Sequence, residues 1–90
     1  MSTITHVEIW ERLIQPDKPD MAPEIARQFL KLHFVDSDVA RMNDLAAKNR
    51  SGTLTPEERS ELDEYLLAGG ILELLHAKAR LVLARAGQAA

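Results

Sequence analysis

Gly69-Gly70 interrupts the longest helical pattern in the chain, and the apolar side chains change sides there. Before the pair, Leu62, Tyr65 and Leu66 form a narrow stripe. At about 100° per residue, Ile71, Leu72, Leu74, Leu75, Leu81, Val82 and Leu83 fill a broad arc centred almost opposite. A helix whose halves aim their apolar faces differently needs two different packing partners, or it must break. Each glycine costs a helix interior roughly 0.8–1 kcal/mol relative to Ala, so the pair is a concession to some other need. That need is either a bend or the close approach of a neighbouring helix. No Pro or capping residue restarts a helix after Gly70, which favours an intact or kinked helix over a full break.

The pattern around this helix is helical as well. Aromatics are only 4% of the 90 residues, so a core must come from Leu, Ile, Val, Ala and Met. That aliphatic bias, with few β-branched runs, points to an all-α fold in a single domain over residues 1–90. Thr5-His6-Val7-Glu8 has the form of a capping box and opens a first helix from about His6 to Ile14. Pro16 and Pro19 make residues 15–20 an extended connector. Pro23 suits the first turn of a second helix, whose face is Ile25, Ala26, Phe29, Leu32 and His33. Asp36 or Ser37 is the expected cap of a third helix, striped by Val39, Met42, Leu45, Ala46 and Asn49. Its Arg41, Asp44 and Lys48 are expected to face water. Gly52 marks a stop, and Thr55-Pro56-Glu57-Glu58 combines a cap, a first-turn proline and a reciprocal glutamate. The pattern then runs to about Arg85, with residues 86–90 expected to fray. The third and fourth helices should form an antiparallel hairpin, and the first two should pack on the Leu-rich half of the fourth.

Chemistry leaves little trace. The chain has no Cys, hence no thiol nucleophile or thiolate metal site. His6, His33 and His76 follow no ligand spacing, and Glu57, Glu58, Glu61, Asp63 and Glu64 read as a solvated helix start rather than a cation site. No phosphate loop or nucleophile motif is present, so no catalytic, metal or cofactor residue is assigned and a non-enzymatic role is expected. The net charge of −3 argues against a general nucleic-acid binder. Lys78, Arg80 and Arg85 form a small basic end, with the stems of Lys78 and Arg85 expected along the leucines at a wet seam. No apolar run approaches the roughly 20 residues of a membrane span, and no signal peptide is evident, which leaves a cytoplasmic protein.

What remains is association. Trp10, the only Trp, is either a core plug over the long helix or an anchor for a partner. His76 and Arg80, with Glu73, form either a solvated stripe or a polar contact for a partner. The candidates for partner binding are therefore Trp10, Ile71, Leu72, Leu75, His76, Arg80 and Leu83.

Four segments also carry a resemblance: residues 42–48 (Met-Asn-Asp-Leu-Ala-Ala-Lys), 52–58 (Gly-Thr-Leu-Thr-Pro-Glu-Glu), 62–65 (Leu-Asp-Glu-Tyr) and 78–81 (Lys-Ala-Arg-Leu). Together they resemble a group of small uncharacterised bacterial proteins with a helical hairpin, a Thr-Pro-Glu-Glu helix start and a Lys-Ala-Arg signature. The resemblance covers about half of the chain and leaves the first forty residues aside. Members lie beside genes for HNH-type nucleases, which implies a companion that binds or restrains another protein. The leading expectation is a protein-interaction module, antitoxin-like or accessory to a neighbouring effector. The alternatives are a self-assembling helical protein and a nucleic-acid accessory that uses the basic end.

Overall fold

The computed structural model describes the backbone of residues 6–89 and the side chains of residues 8–87. Four helices follow one another: α1 (His6–Ile14), α2 (Pro23–Leu30), α3 (Asp36–Ser51) and α4 (Pro56–Ala89). The described residues contain no strand, and the protein is all-α. No helix among them is long and apolar enough to cross a membrane. Thr5, the proposed cap of α1, lies outside the described residues.

α4 is a continuous helix of 34 residues, about 50 Å long, and it is unbroken through Gly69 and Gly70. Its helical placement continues to Ala89. Alanines in this last stretch, with the highest helix propensity of any residue, support the extension. The chain divides into two compact units, and the division along α4 falls between Gly69 and Gly70. One unit is Phe34–Gly69; the other joins the residues up to His33 with those from Gly70 on. The two apolar faces of α4 thus serve two separate cores.

In the Phe34–Gly69 unit, α3 and the first half of α4 form the hairpin. Leu45 is fully buried and Leu62 nearly so, while Met42 and Ala46 are half-buried. The loop is set by Gly52, whose φ of 73° is left-handed and suits a residue without Cβ. Its N–H closes the end of α3 on the Asn49 and Lys48 carbonyls. The capping box forms as expected: the Glu58 N–H donates to Thr55 Oγ1 at 3.1 Å, and the Thr55 N–H donates to Glu58 Oε1 at 3.0 Å. At the other end, the Tyr65 hydroxyl donates to Asp38 Oδ1 at 2.8 Å, and the ring meets Phe34 edge-on at 6.2 Å between centroids.

Several local expectations are corrected here. Neither Asp36 nor Ser37 caps α3; Val35 takes that position, with no side-chain hydrogen bond. Asp36 and Asp38 instead lie in the first turn, where their charges complement the positive helix end. Asn49 is exposed and accepts from Arg59, and Val39 and Leu66 are exposed rather than packed.

In the second unit, Ala26 of α2 meets Ala79 and Val82 of α4 in a buried cluster, with Met21, Phe29 and Leu83 against it. Two facing alanines let the helix backbones approach closely. α2 stops at Leu30, so Leu32 and His33 do not continue its apolar face. The Lys31 and Leu32 N–H groups turn back onto the Gln28 and Phe29 carbonyls, a tight closing turn. α1 ends where Gln15 adopts a left-handed conformation (φ 54°), which costs a non-glycine residue about 1–2 kcal/mol.

A Cβ on Gly69 would meet only Phe34 Cε2, at 3.9 Å, which is ordinary contact. Close helix approach therefore does not require Gly69. Gly69→Ala should raise stability by about 0.8–1 kcal/mol in urea unfolding, by restoring helix propensity. A lower midpoint would show that the glycine is needed for geometry. Thr55→Ala should lower stability by about 1 kcal/mol in the same measurement, through loss of the cap.

Candidate functional site

The Leu-rich half of α4 is largely occupied within its own unit. Among residues 71–83, only Glu73 and Arg80 are exposed. Ile71, Leu72, Leu75 and His76 are half-buried, and Leu83 packs on the Ala26 cluster. These candidates do not form one open surface. His76 does not join Glu73 and Arg80 in a solvated stripe: its Nε2–H donates to the Leu32 carbonyl at 2.9 Å. That bond satisfies a carbonyl left over where α2 ends. His33 is exposed beyond α2, and the side chain of His6 lies outside the described residues.

Lys78 departs furthest from expectation. It is not at a wet seam but 8% exposed. Its ammonium donates to the Ile14 carbonyl at 2.6 Å and forms an ion pair with Asp20. The Ile14 carbonyl is at the negative end of α1, so Lys78 caps that helix across the unit. Asp20 remains exposed to water, and its hydrogen bond with Lys78 holds its carboxyl below the ordinary 3.8. With Lys78 turned inward, Arg80 and Arg85 are the exposed charges of the basic end.

The exposed apolar side chains lie elsewhere. On α1, Ile9, Trp10 and Leu13 are all exposed, Leu13 at 71%. Helix geometry places Leu13 between the other two, within about 100° of arc. Trp10, at 40% exposure, is not a core plug. Along the described side chains of α1 only Ile14 is even half-buried. In the other unit, Val35, Val39 and Leu66 are exposed near the hairpin end marked by the Tyr65–Asp38 bond. Ile9 and Leu13 are apolar residues whose exposure depends on which α1 face docks.

An open cleft of about 700 Å³ runs along Glu8, Glu11, Arg12 and residues 15–18, with neither a histidine nor a hydroxyl nucleophile among the described residues of its walls. Among the described residues, no group of three or more His, Cys, Asp or Glu is arranged to hold a metal ion. No family model, curated protein or solved structure matches the chain.

Of the acidic residues at the start of α4, Glu57, Asp63 and Glu64 are exposed as expected, whereas Glu58 and Glu61 make interhelical contacts. The Arg41 guanidinium grips Glu61 through Nε at 2.8 Å and Nη2 at 2.9 Å, and reaches Asp44 through Nη1 at 2.8 Å. Lys48 Nζ donates to Glu58 Oε2 at 2.6 Å and lies 3.6 Å from Asp44. Arg41 and Lys48 are therefore only half-exposed, not directed wholly at water. Glu58 uses one oxygen for the cap and the other for Lys48, which pulls its pKa from 4.5 to about 2. The Arg41 hydrogen bonds lower the Glu61 carboxyl as well, and raise Arg41 in turn.

Because Glu58 and Glu61 are depressed in the fold, protonation favours the unfolded chain. Their contribution is fully present above the unfolded value of 4.5 and is lost as pH falls, through about 2 for Glu58. Thermal unfolding followed against pH should show a flat midpoint near neutrality and a steep fall below about pH 4.5. Glu58→Gln, which retains the capping hydrogen bond, should flatten that fall. An unchanged acid limb in Glu58→Gln would exclude the Lys48–Glu58 pair as a source of the acid sensitivity.

Proposed function

We propose that this chain is a non-enzymatic protein-interaction module whose ligand element is α1. The observation that carries the reading is the run of exposed apolar side chains Ile9, Trp10 and Leu13 on a single short helix. Ile9 and Leu13 are four residues apart and Trp10 and Leu13 three, the spacing by which an amphipathic helix inserts into a groove on another protein. Tryptophan on such a face supplies a large rigid anchor. The partner accordingly offers an apolar groove, and the resemblance to small bacterial hairpin proteins makes a neighbouring effector protein the natural owner of it. This activity belongs in the cytoplasm, where a chain without cysteines is indifferent to the reducing conditions.

Self-assembly has a separate support in Val35, Val39 and Leu66, exposed in the Phe34–Gly69 unit. A nucleic-acid role has less, since Lys78 is engaged by Ile14 and Asp20.

Leu13→Asp tests the reading, because so exposed a side chain contributes little to the fold. Wild-type protein should capture one binding protein from its source cell, and Leu13→Asp and Trp10→Ala should lose it while retaining the wild-type circular dichroism. Equal capture by wild type and both variants would exclude α1. Light scattering on a sizing column separates the alternative: a monomer at high concentration excludes self-assembly.

A further inference from the structure

Among its described side chains, α1 buries little against its unit. From Glu8 to Leu13 every side chain is exposed, and Ile14 is half-buried. By contrast α2 contributes the fully buried Ala26 to the core. A helix of nine residues does not persist alone in water, so α1 depends on whatever fixes its ends. At the C-terminal end that fixture is Lys78, buried within α4 and bonded both to the Ile14 carbonyl and to Asp20 of the connector. One ammonium thus binds the last residue of α1 and the far end of the two-proline segment. Because one ammonium holds both oxygens, undocking of α1 breaks both contacts together and returns Lys78 to water.

We infer that α1 and the connector form a releasable arm, latched to α4 by Lys78. Gln15–Asp20 is the strap, and Pro16 and Pro19 keep it extended. Release lets the whole helix that carries the exposed Ile9, Trp10 and Leu13 enter a partner's groove. It also uncovers the sector of α4 around Lys78, where Leu74 and Leu81 lie one turn to either side. The latch rests on the interaction reading for its purpose, but its mechanics belong to the chain alone.

The test uses the full chain without any partner. Lys78→Met keeps the apolar stem and removes the charge. Hydrogen exchange should show the α1 amides at least about tenfold faster in this variant, while those of α3 change less than about twofold. Trp10, the only Trp, reports the same event, and its quenching by acrylamide should rise. Unchanged exchange in α1 would overturn the latch, and so would an equal loss of protection throughout α1–α4. Should Lys78→Met fail to fold, Asp20→Asn leaves the lysine in place and should give the same selective loss in α1, with the same two outcomes against it. Failure to capture a partner would leave this exchange pattern standing, and an absent pattern would leave partner capture standing, so the two ideas fail separately.

Discussion

α4 is helical from Pro56 to Ala89, and each of the two units is built on one part of it. Once the helix is continuous, the direction of each side chain is fixed by its position, at about 100° per residue. Leu62 and Tyr65 can then serve only one set of neighbours, while Ala79 and Val82 serve another. The residues up to His33 go with the second half of α4, and those from Phe34 through α3 go with the first. The division of the chain between His33 and Phe34 is a consequence of the division between Gly69 and Gly70. The glycines mark the place where neither core claims the helix, and Gly69 shows no steric reason to be small. A position without a packing role tolerates a residue of poor propensity, since the flanking turns carry the helix through it.

The two units meet their burial limits by different means. The hairpin has few buried apolar side chains, Leu45 and Leu62 foremost. It compensates with polar contacts of defined geometry: the reciprocal cap at Thr55 and Glu58, the two-pronged Arg41–Glu61 pair, and Tyr65 on Asp38. Exposed ion pairs contribute little singly, but these share partners, and Glu58 belongs to both the cap and the pair. The second unit relies instead on close contact between alanines and one buried charge. Among the described residues of α1, no side chain is buried as Ala26 of α2 is.

What could be read from the sequence follows the range of the forces involved. The limits of α1, Pro23 at the start of α2, Gly52 at the end of α3 and the Thr55 box are decided within a few residues, and each was legible. The change of apolar face at Gly69-Gly70 was legible too, because helical periodicity accumulates over several turns. The end of α2 was not: Leu32 and His33 fit the apolar period, but the chain closes after Leu30 and hands the Leu32 carbonyl to His76, 44 residues away. Arg41 and Lys48 look like ordinary solvent-facing cations until the register of α3 on α4 brings Glu61 and Glu58 against them.

Lys78 is the clearest case of this limit, and it bears most on function. Its position on the wheel already placed it among leucines, a placement that usually lets the ammonium reach past them to water. What turns it inward is the arrival of two oxygens from a distant part of the chain, Ile14 at a separation of 64 residues and Asp20 on the connector. Local pattern cannot supply those oxygens, because they exist as a pair only after α1 has docked. The same event decides which side of α1 stays outward. The helix presents more apolar surface than its docking consumes, and Ile9, Trp10 and Leu13 are the remainder. Docking by a polar latch instead of by the tryptophan leaves that remainder contiguous, and a contiguous apolar face on a short helix is the form in which one protein is bound by another.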